Sequence, residues 1–282
     1  MNPPIPPIIS PTELINFYHN PGLVLADVRT GPNAKENYFK KHLEGALFVD
    51  LDTQLADIKE DVANGGRHPL PEINVFAETL TKLGISKQSH VVIYDDKNAA
   101  NAAARFWWML KAAGHQHVQV IDGGMQAAEK SGFPTGSRIE KPKMVLPYSF
   151  DSWQLPLADM QEVEKVSADE NYMVVDVRDA ARYRGEQEPI DLVAGHIPGA
   201  VNIPFTNNLD EHGLFLSPAE LKKIYQIKLG DKATSNIIVH CGSGVTACHS
   251  LLAIAYAGME IPKLYIGSWS EWSRNNKTIA KG

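Results

Sequence analysis

The sequence predicts an α/β protein in which one doubly wound parallel sheet, flanked by helices, is used twice. Three observations carry this expectation. Leu23 to Arg29, ending Asp27-Val28-Arg29, precedes His42-Leu43-Glu44-Gly45-Ala46, and the pattern recurs as Met173 to Arg178 before His196-Ile197-Pro198-Gly199-Ala200. A repeat of this kind sets the domain plan before any single element is read. Each half then supplies a β-branched run, Val91-Val92-Ile93-Tyr94 or Ile237-Ile238-Val239-His240, and a helix-length stretch closing at Ala113-Gly114 or Ala257-Gly258. Gly114 to Gly123 and Gly258 to Gly267 share the same nine-residue spacing, with apolar runs between them. Short apolar runs alternating with helix-length segments imply parallel strands joined by crossover helices.

The first copy is expected over residues 1–135 and the second over 151–282, joined by a linker at 136–150. Phe133-Pro134-Thr135-Gly136-Ser137-Arg138 through Lys141-Pro142-Lys143 to Pro147 is rich in proline, glycine and charge, which is linker composition. With 282 residues and 44% apolar content the chain can bury substantial cores. A net charge of −6 gives no bulk reason to expect nucleic acid or an anionic membrane as partner. Its two cysteines, seven residues apart, are too few for a disulfide framework and suit a reducing compartment. No run approaches the roughly 18 apolar residues of a membrane span, and Met1 to Ile8 has no basic region followed by an apolar stretch. The expectation is a cytoplasmic monomer.

In sheets of this class ligands bind beyond the carboxyl ends of the strands. The informative loops therefore come after Tyr94 and His240. After His240 comes Cys241-Gly242-Ser243-Gly244-Val245-Thr246, leading into a helix expected to bury Val245, Cys248, Leu252 and Ala255 as one stripe. Cys241 sits at a helix amino terminus between glycines, where backbone N–H groups and the helix dipole favour a thiolate or persulfide anion. The bland alternative is a small buried hydrophobe in a tight turn. Cys248, on the core stripe, reads as packing. In the first copy Asp95 occupies the place of the cysteine, so that copy has no nucleophile.

A cysteine phosphatase needs an anion-binding loop ending in an arginine that grips phosphate. The corresponding residues here are Ala247-Cys248-His249, so phosphatase chemistry is disfavoured. The histidines, among them His115, His117, His212 and His249, have no metal-ligand spacing combined with a cysteine pair, and His115-Gln116-His117 reads as a surface turn. No metal or organic cofactor is implied. Trp107, Trp108, Trp269 and Trp272 read as core or interface aromatics, with Trp269 or Trp272 also candidates for a pocket mouth.

Over essentially its whole length the sequence resembles the tandem-domain rhodanese family. The residues that carry the resemblance are the paired Asp-Val-Arg and His-Ile-Pro-Gly-Ala elements, Gly65-Gly66-Arg67-His68-Pro69-Leu70-Pro71, Arg105-Phe106-Trp107-Trp108 and Gly267-Ser268-Trp269-Ser270-Glu271-Trp272. Within the family, the loop of Cys241, Gly242, Ser243, Gly244, Val245 and Thr246 looks like that of enzymes taking sulfur from 3-mercaptopyruvate. Those using thiosulfate typically carry basic residues after the cysteine. The resemblance implies two rhodanese-like domains, a Cys241 persulfide, and an Asp52, His68 and Ser243 group that moves protons beside it. It also implies that Arg182 holds the donor's carboxylate or sulfonate. A second arginine is usual nine residues on, but Asp191 stands there. Either Arg184 takes that role or one arginine serves alone.

The activity the resemblance implies is transfer of sulfur from 3-mercaptopyruvate through Cys241 to a thiol, thioredoxin or cyanide, with release of pyruvate. Thiosulfate:cyanide sulfur transfer is the alternative, and a protein-to-protein sulfur relay or binding module a more distant one.

Overall fold

A computed structural model describes residues 5–282 apart from Asn101. The chain divides into two compact units. One comprises residues 1–56, 71–154 and 211–214, and the other residues 57–70, 155–210 and 215–282. The units are therefore not contiguous blocks of sequence. Residues 57–70 fold with the second unit although they lie inside the first repeat.

The first unit runs β1 (Ile8–Ile9), α1 (Pro11–Ile15), β2 (Leu23–Arg29), α2 (Ala34–Lys40), β3 (His42–Leu43), β4 (Leu47–Asp50), α3 (Leu51–Gln54), α4 (Ile73–Lys82), β5 (His90–Tyr94), α5 (Ala103–Ala112), β6 (Val118–Ile121), α6 (Gly124–Lys130) and β7 (Thr135–Gly136). Its sheet has the order β1-β6-β5-β2-β4, all parallel, while β3 and β7 form a small antiparallel pair. The second unit runs β8 (Leu157–Ala158), α7 (Met160–Val166), β9 (Met173–Asp176), α8 (Ala180–Tyr183), β10 (Val201–Asn202), α9 (Pro218–Leu229), β11 (Ile237–His240), α10 (Ala247–Tyr256), β12 (Lys263–Tyr265) and α11 (Ser268–Trp272). Its parallel sheet has the order β8-β12-β11-β9-β10. Strand for strand, that is the same topology, so the expected α/β class and the doubled fold are both present.

The repeated sequence pattern has a repeated physical cause. Arg29 donates to both Asp27 oxygens at 2.7 Å and to the carbonyl of Lys41 at 2.9 Å. Arg178 likewise grips Asp176, at 2.7 Å for the shortest bond, and reaches the carbonyl of Gly195 at 2.7 Å. Each arginine thus ties the end of a strand to the residue just before the repeated histidine. His42 stacks on Tyr38 and His196 on Tyr183, each with Nδ1 2.8 Å from that tyrosine's carbonyl. These histidines are structural. Local signals agree with the elements: Ser10 and Ser217 close capping boxes with Glu13 and Glu220, with a proline opening each helix.

Two expectations need correction. The helix after the cysteine loop is buried almost all round, since Ala247 to Ile254 are all inside and Ala255 is only half-buried. Burial of Leu251, Leu252 and Ile254 stabilises it by roughly 2 kcal/mol each. His115 is not in a surface turn. It is 1% exposed, with Nδ1 3.1 Å from the Tyr148 hydroxyl and Nε2 3.0 Å from the Ser89 carbonyl. Its partner Tyr148 lies in a stretch held by aromatic packing, with Tyr148 against Phe150, and Phe150 and Trp153 against Phe76. The tryptophans Trp107, Trp108, Trp269 and Trp272 are core residues, none more than 2% exposed. Among the described residues no helix is long and apolar enough to cross a membrane.

Burial pushes the His115 imidazole down to about 4, with neighbouring His117 and Lys87 adding to the effect and a Ser89 hydrogen bond opposing it. The folded state keeps the ring neutral where the unfolded chain, with a pKa near 6.5, takes up a proton. Stability from this group is therefore complete above about pH 6.5 and is lost as pH falls toward 4, by roughly 3 kcal/mol in all. The urea midpoint of the native chain should fall between about pH 6.5 and 4.5 more steeply than that of His115→Gln. Parallel profiles would remove His115 as the cause.

Candidate active site

The central strand of the second sheet, β11, delivers its carboxyl end into the loop Cys241–Thr246, and α10 comes next. Cys241 is 2% exposed, and both cysteines are free thiols. Gly244 has φ +71°, and a Cβ there would lie 2.5 Å from the Ile266 carbonyl oxygen, so only glycine fits the turn. The loop Gly267 to Ser270 clamps this one. Trp269 N–H donates to the Cys241 carbonyl at 3.1 Å and Ser270 N–H to the Gly242 carbonyl at 2.8 Å.

Ser268 is the centre of that clamp. Its hydroxyl oxygen accepts the N–H of Cys241 at 3.2 Å and of Gly244 at 3.0 Å, and its proton goes to the Tyr265 carbonyl at 2.9 Å. Its backbone holds φ +53°, a left-handed conformation uncommon for serine. The expectation that the loop N–H groups gather around the sulfur is thereby narrowed. Two of them are taken by Ser268, whereas those of Gly242, Ser243, Val245 and Thr246 meet no acceptor among the described residues. These four are available to an anion. The Gly267-Ser268-Trp269 motif is plain in the sequence but the role of Ser268 is not, because nothing along the chain relates it to Cys241.

Residues 57–70 bring His68 onto the same unit. Gly65 N–H donates to Glu271 Oε1 at 3.0 Å, Arg67 N–H to Ser270 Oγ at 3.1 Å, and Asn275 Nδ2 to the Ala63 carbonyl at 2.9 Å. The approach is close enough that a Cβ at Gly66 would sit 2.4 Å from the Gly267 carbonyl oxygen. So held, His68 Nδ1 is 2.8 Å from Ser243 Oγ. Asp52 belongs to the first unit, on α3, where the Thr30 hydroxyl donates to its carboxylate at 3.4 Å.

Arg182 lies in the last turn of α8, with Nη2 donating to Glu188 at 2.6 Å and to Asp191 at 3.4 Å. Arg184 stands apart, 46% exposed and bidentate on Glu186. Asp191, whose side chain is fully buried, also receives Arg67 Nε at 3.0 Å and Arg274 Nη1 at 3.2 Å. Burial alone would push Glu188 up, but Arg182 and the Asp191 N–H hold its carboxyl below the ordinary range. A Cβ on Gly242 would lie 3.0 Å from Arg67 Nη2 and 3.7 Å from Arg182 Nη2. Both guanidinium groups therefore flank the cysteine loop. Arg67 and Arg274 were missed in the sequence, although Arg67 adjoins His68 in the Gly-Gly-Arg-His motif.

His240, immediately before Cys241, is buried. That burial pushes its imidazole down, with Asp176 opposing. Cys248 packs in the core, its Sγ 3.4 Å from the Gly244 carbonyl. In the first unit the corresponding turn carries its own anion. Asp95 accepts the N–H groups of Lys97 and Ala99 at 2.9 Å and of Ala103 at 3.1 Å. Burial pushes this carboxyl up while the loop bonds pull it back. The same strand-to-helix turn is filled from within in one copy and left with unclaimed donors in the other. Among the described residues no group of three or more histidine, cysteine, aspartate or glutamate side chains could hold a metal ion.

A model of the rhodanese-like domain matches residues 10–131 and again 159–275. A probable 3-mercaptopyruvate sulfurtransferase of Pseudomonas aeruginosa is 39% identical over 83% of this chain and 82% of its own length. A thiosulfate sulfurtransferase of Rattus norvegicus is 36% identical over 86% of this chain and 80% of its own. Among solved structures, SseA of Escherichia coli, described as a 3-mercaptopyruvate sulfotransferase with the rhodanese fold, superposes with a TM-score of 0.77. It is 30% identical, and the match covers 95% of this chain and 100% of that one.

Removing the Ser268 hydroxyl should leave two buried N–H groups without an acceptor, at about 1–3 kcal/mol. Ser268→Ala is expected to lower the urea midpoint accordingly and to speed hydrogen exchange of the Cys241 and Gly244 amides. Unchanged exchange at those two amides would show that Ser268 does not hold the loop.

Proposed function

We propose, from the premise that this chain belongs to the rhodanese family through both halves of its sequence, that it is a sulfurtransferase whose carrier is a persulfide on Cys241. The observation that carries the reading is the Cys241 loop itself: a buried thiol at the end of the central strand, beside backbone N–H groups that meet no acceptor among the described residues. The preferred donor is 3-mercaptopyruvate, the substrate named for several relatives at 35–39% identity.

In the proposed reaction the Cys241 thiolate attacks the donor sulfur, forming an S–S bond as the C–S bond breaks. The electron pair of that bond passes to the carbon and is delocalised onto the neighbouring carbonyl oxygen as an enolate. The proton leaving the donor thiol ends on that carbon, giving pyruvate and the Cys241 persulfide anion. Ser243 Oγ and His68 Nδ1, 2.8 Å apart, form the relay that moves the proton. The N–H groups of Gly242, Ser243, Val245 and Thr246 then stabilise the persulfide. Its outer sulfur passes to an acceptor thiol, thioredoxin or cyanide, returning the thiolate. Arg182 anchors the donor carboxylate. Asp52 is retained in this proposal on the family resemblance alone.

A second reading, thiosulfate as donor, is favoured by the arginines beside Gly242 and by the rat relative's name. We further propose that the protein acts as a monomer in the cytoplasm, with repeats at 1–135 and 151–282 joined through 136–150. The internal duplication places two copies of the fold in one chain, and reducing conditions keep the Cys241 thiol from irreversible oxidation between turnovers.

Intact-mass spectrometry after mixing with 3-mercaptopyruvate tests the reading. One added sulfur is expected on the native chain and none on Cys241→Ser; no gain on the native chain would sink the donor, and an equal gain on the variant would sink the nucleophile. Arg182→Ala should raise the KM for an anionic donor about tenfold or more, the scale of a charge-assisted hydrogen bond. An unchanged KM would assign Arg182 to structure alone.

A further inference from the structure

The exchange of loops between the repeats runs in both directions. Residues 211–214 fold with the first unit although they lie in the second repeat, the converse of residues 57–70. The two segments share a pattern, Arg67-His68-Pro69-Leu70 in one and Glu211-His212-Gly213-Leu214 in the other, and each comes shortly before a helix, α4 or α9. Glycine seats both. Gly123 holds in the first repeat the place of Gly267 in the second, and a Cβ on it would lie 2.6 Å from Leu214 Cδ2. A Cβ on Gly213 would lie 2.4 Å from Asn98 Nδ2, as one on Gly66 would from the Gly267 carbonyl oxygen. The first unit thus assembles the three parts that meet at Cys241 in the second. They are a strand-to-helix turn, here filled by Asp95, a helix entered through Gly123, and a histidine-bearing loop from the other repeat.

In the first unit these parts leave a cavity of about 320 Å³. At ~30 Å³ per water it has room for a solute of roughly ten heavy atoms. Pro11, Ala127 and Leu214 supply apolar walls, while Asp122, Gln126 and Lys130 bring polar groups, with His212 beside them. Asp122 precedes α6, and Gln126 and Lys130 follow at four-residue steps, so the three line one face of that helix. Gln126 Nε2 donates to the Asp96 carbonyl at 2.9 Å, which turns the amide so that Oε1 is left as an acceptor. Gln126 Oε1, Lys130 Nζ and the Ser131 hydroxyl, which also lines the cavity, meet no partner among the described residues.

The charges differ from those around Cys241. Counted from Gly123 and Gly267, Asp122 stands where the second repeat has Ile266, and Lys130 where it has Arg274. In the exchanged loop Glu211 replaces Arg67 and lies 3.7 Å from His212. Asp122 and Lys130 therefore give the lining one negative and one positive charge, which matches neither a lone anion nor a lone cation.

We propose that this cavity is a second, non-catalytic binding site, for a small zwitterion of the amino-acid class. Asp122 and Gln126 Oε1 receive its ammonium group, Lys130 and Ser131 its carboxylate, and Pro11, Ala127 and Leu214 its carbon chain. Residues one helical turn apart have Cβ atoms about 5–6 Å apart, a gap that the adjacent amino and carboxylate groups of an α-amino acid bridge with a hydrogen bond at each end. The site lies within the first unit and does not depend on the sulfurtransferase reading.

Isothermal titration calorimetry of the full chain with L-leucine tests the proposal. Saturable binding with a Kd of about 1 mM is expected, the scale for a ligand of this size. Isocaproate, which lacks the amino group, and isopentylamine, which lacks the carboxylate, should each bind about tenfold more weakly or worse. Lys130→Gln should weaken L-leucine about tenfold and leave isopentylamine unchanged, a split that a purely structural lysine would not produce. Ala127→Leu, which puts a larger side chain into the cavity, should abolish binding. Should that variant fail to fold, Lys130→Gln decides alone, because Lys130 is exposed. Arg182→Ala, in the other unit, should bind L-leucine as the native chain does. The proposal is overturned by absence of saturable L-leucine binding, by equal affinity for the singly charged analogues, or by unchanged affinity in Lys130→Gln. Binding lost in Arg182→Ala but kept in Lys130→Gln would assign it to the Cys241 loop and overturn the proposal as well.

Discussion

Asp176 and Arg178 lie two residues apart at the end of β9, both closed to water, and share hydrogen bonds of 2.7 to 3.1 Å. The second unit depends on this pair. Taking both charges out of water is costly, and breaking such a pair by removing one partner typically costs about 3–5 kcal/mol, because the other charge is stranded. The guanidinium offsets its burial with more than one contact. It also donates to the Gly195 carbonyl, stacks over the Trp269 ring at 4.7 Å and reaches Glu188. One side chain thereby fixes the strand end, the turn before His196, the loop that clamps Cys241, and the acid that holds Arg182.

The first unit starts from the same pair and stops sooner. Arg29 grips Asp27 and the Lys41 carbonyl, but its other neighbours are Met125 and, through Asp27, the Tyr94 hydroxyl. No described carboxylate extends this pair as Glu188 extends the other. The contrast at the strand-to-helix turn runs parallel. Asp95 satisfies the turn of the first unit with a covalently attached anion, and its carboxylate is held by three backbone N–H groups. In the second unit Cys241 stands at that position, Ser268 claims two N–H groups, and those of Gly242, Ser243, Val245 and Thr246 meet no acceptor among the described residues. One architecture thus occurs once with its turn closed by a carboxylate and once with loop N–H groups that meet no acceptor among the described residues.

Residues 57–70 show how a loop can leave its own repeat and become part of another's site. Gly65 and Gly66 both have positive φ, and the missing Cβ at Gly66 admits the Gly267 carbonyl at a distance no side chain would tolerate. With the backbone anchored by Glu271, Ser270 and Asn275, the side chains of Arg67 and His68 fall beside the Cys241 loop, on Asp191 and Ser243. Anchoring on a packed unit fixes the positions of these loop-borne side chains.

The doubled α/β plan, the parallel strands, the Cys241 turn and the Asp95 replacement were all determined by sequence alone. They depend on interactions that are local or strictly repeated: apolar periodicity, glycine at tight turns, and the spacing of Asp-Val-Arg to histidine. The reading of α10 as a one-sided stripe and of His115 as exposed failed because burial depends on what packs against an element, which its own period does not record. Asp191 looked from the sequence like the loss of an arginine. Only the tertiary structure decided that it is the acceptor for three of them, at separations of 124, 9 and 83 residues. Charge pairing acts through space and leaves no period in the chain, so the Cys241 turn was legible where it stands, while the arginines gathered on Asp191 became visible only once the chain had folded around them.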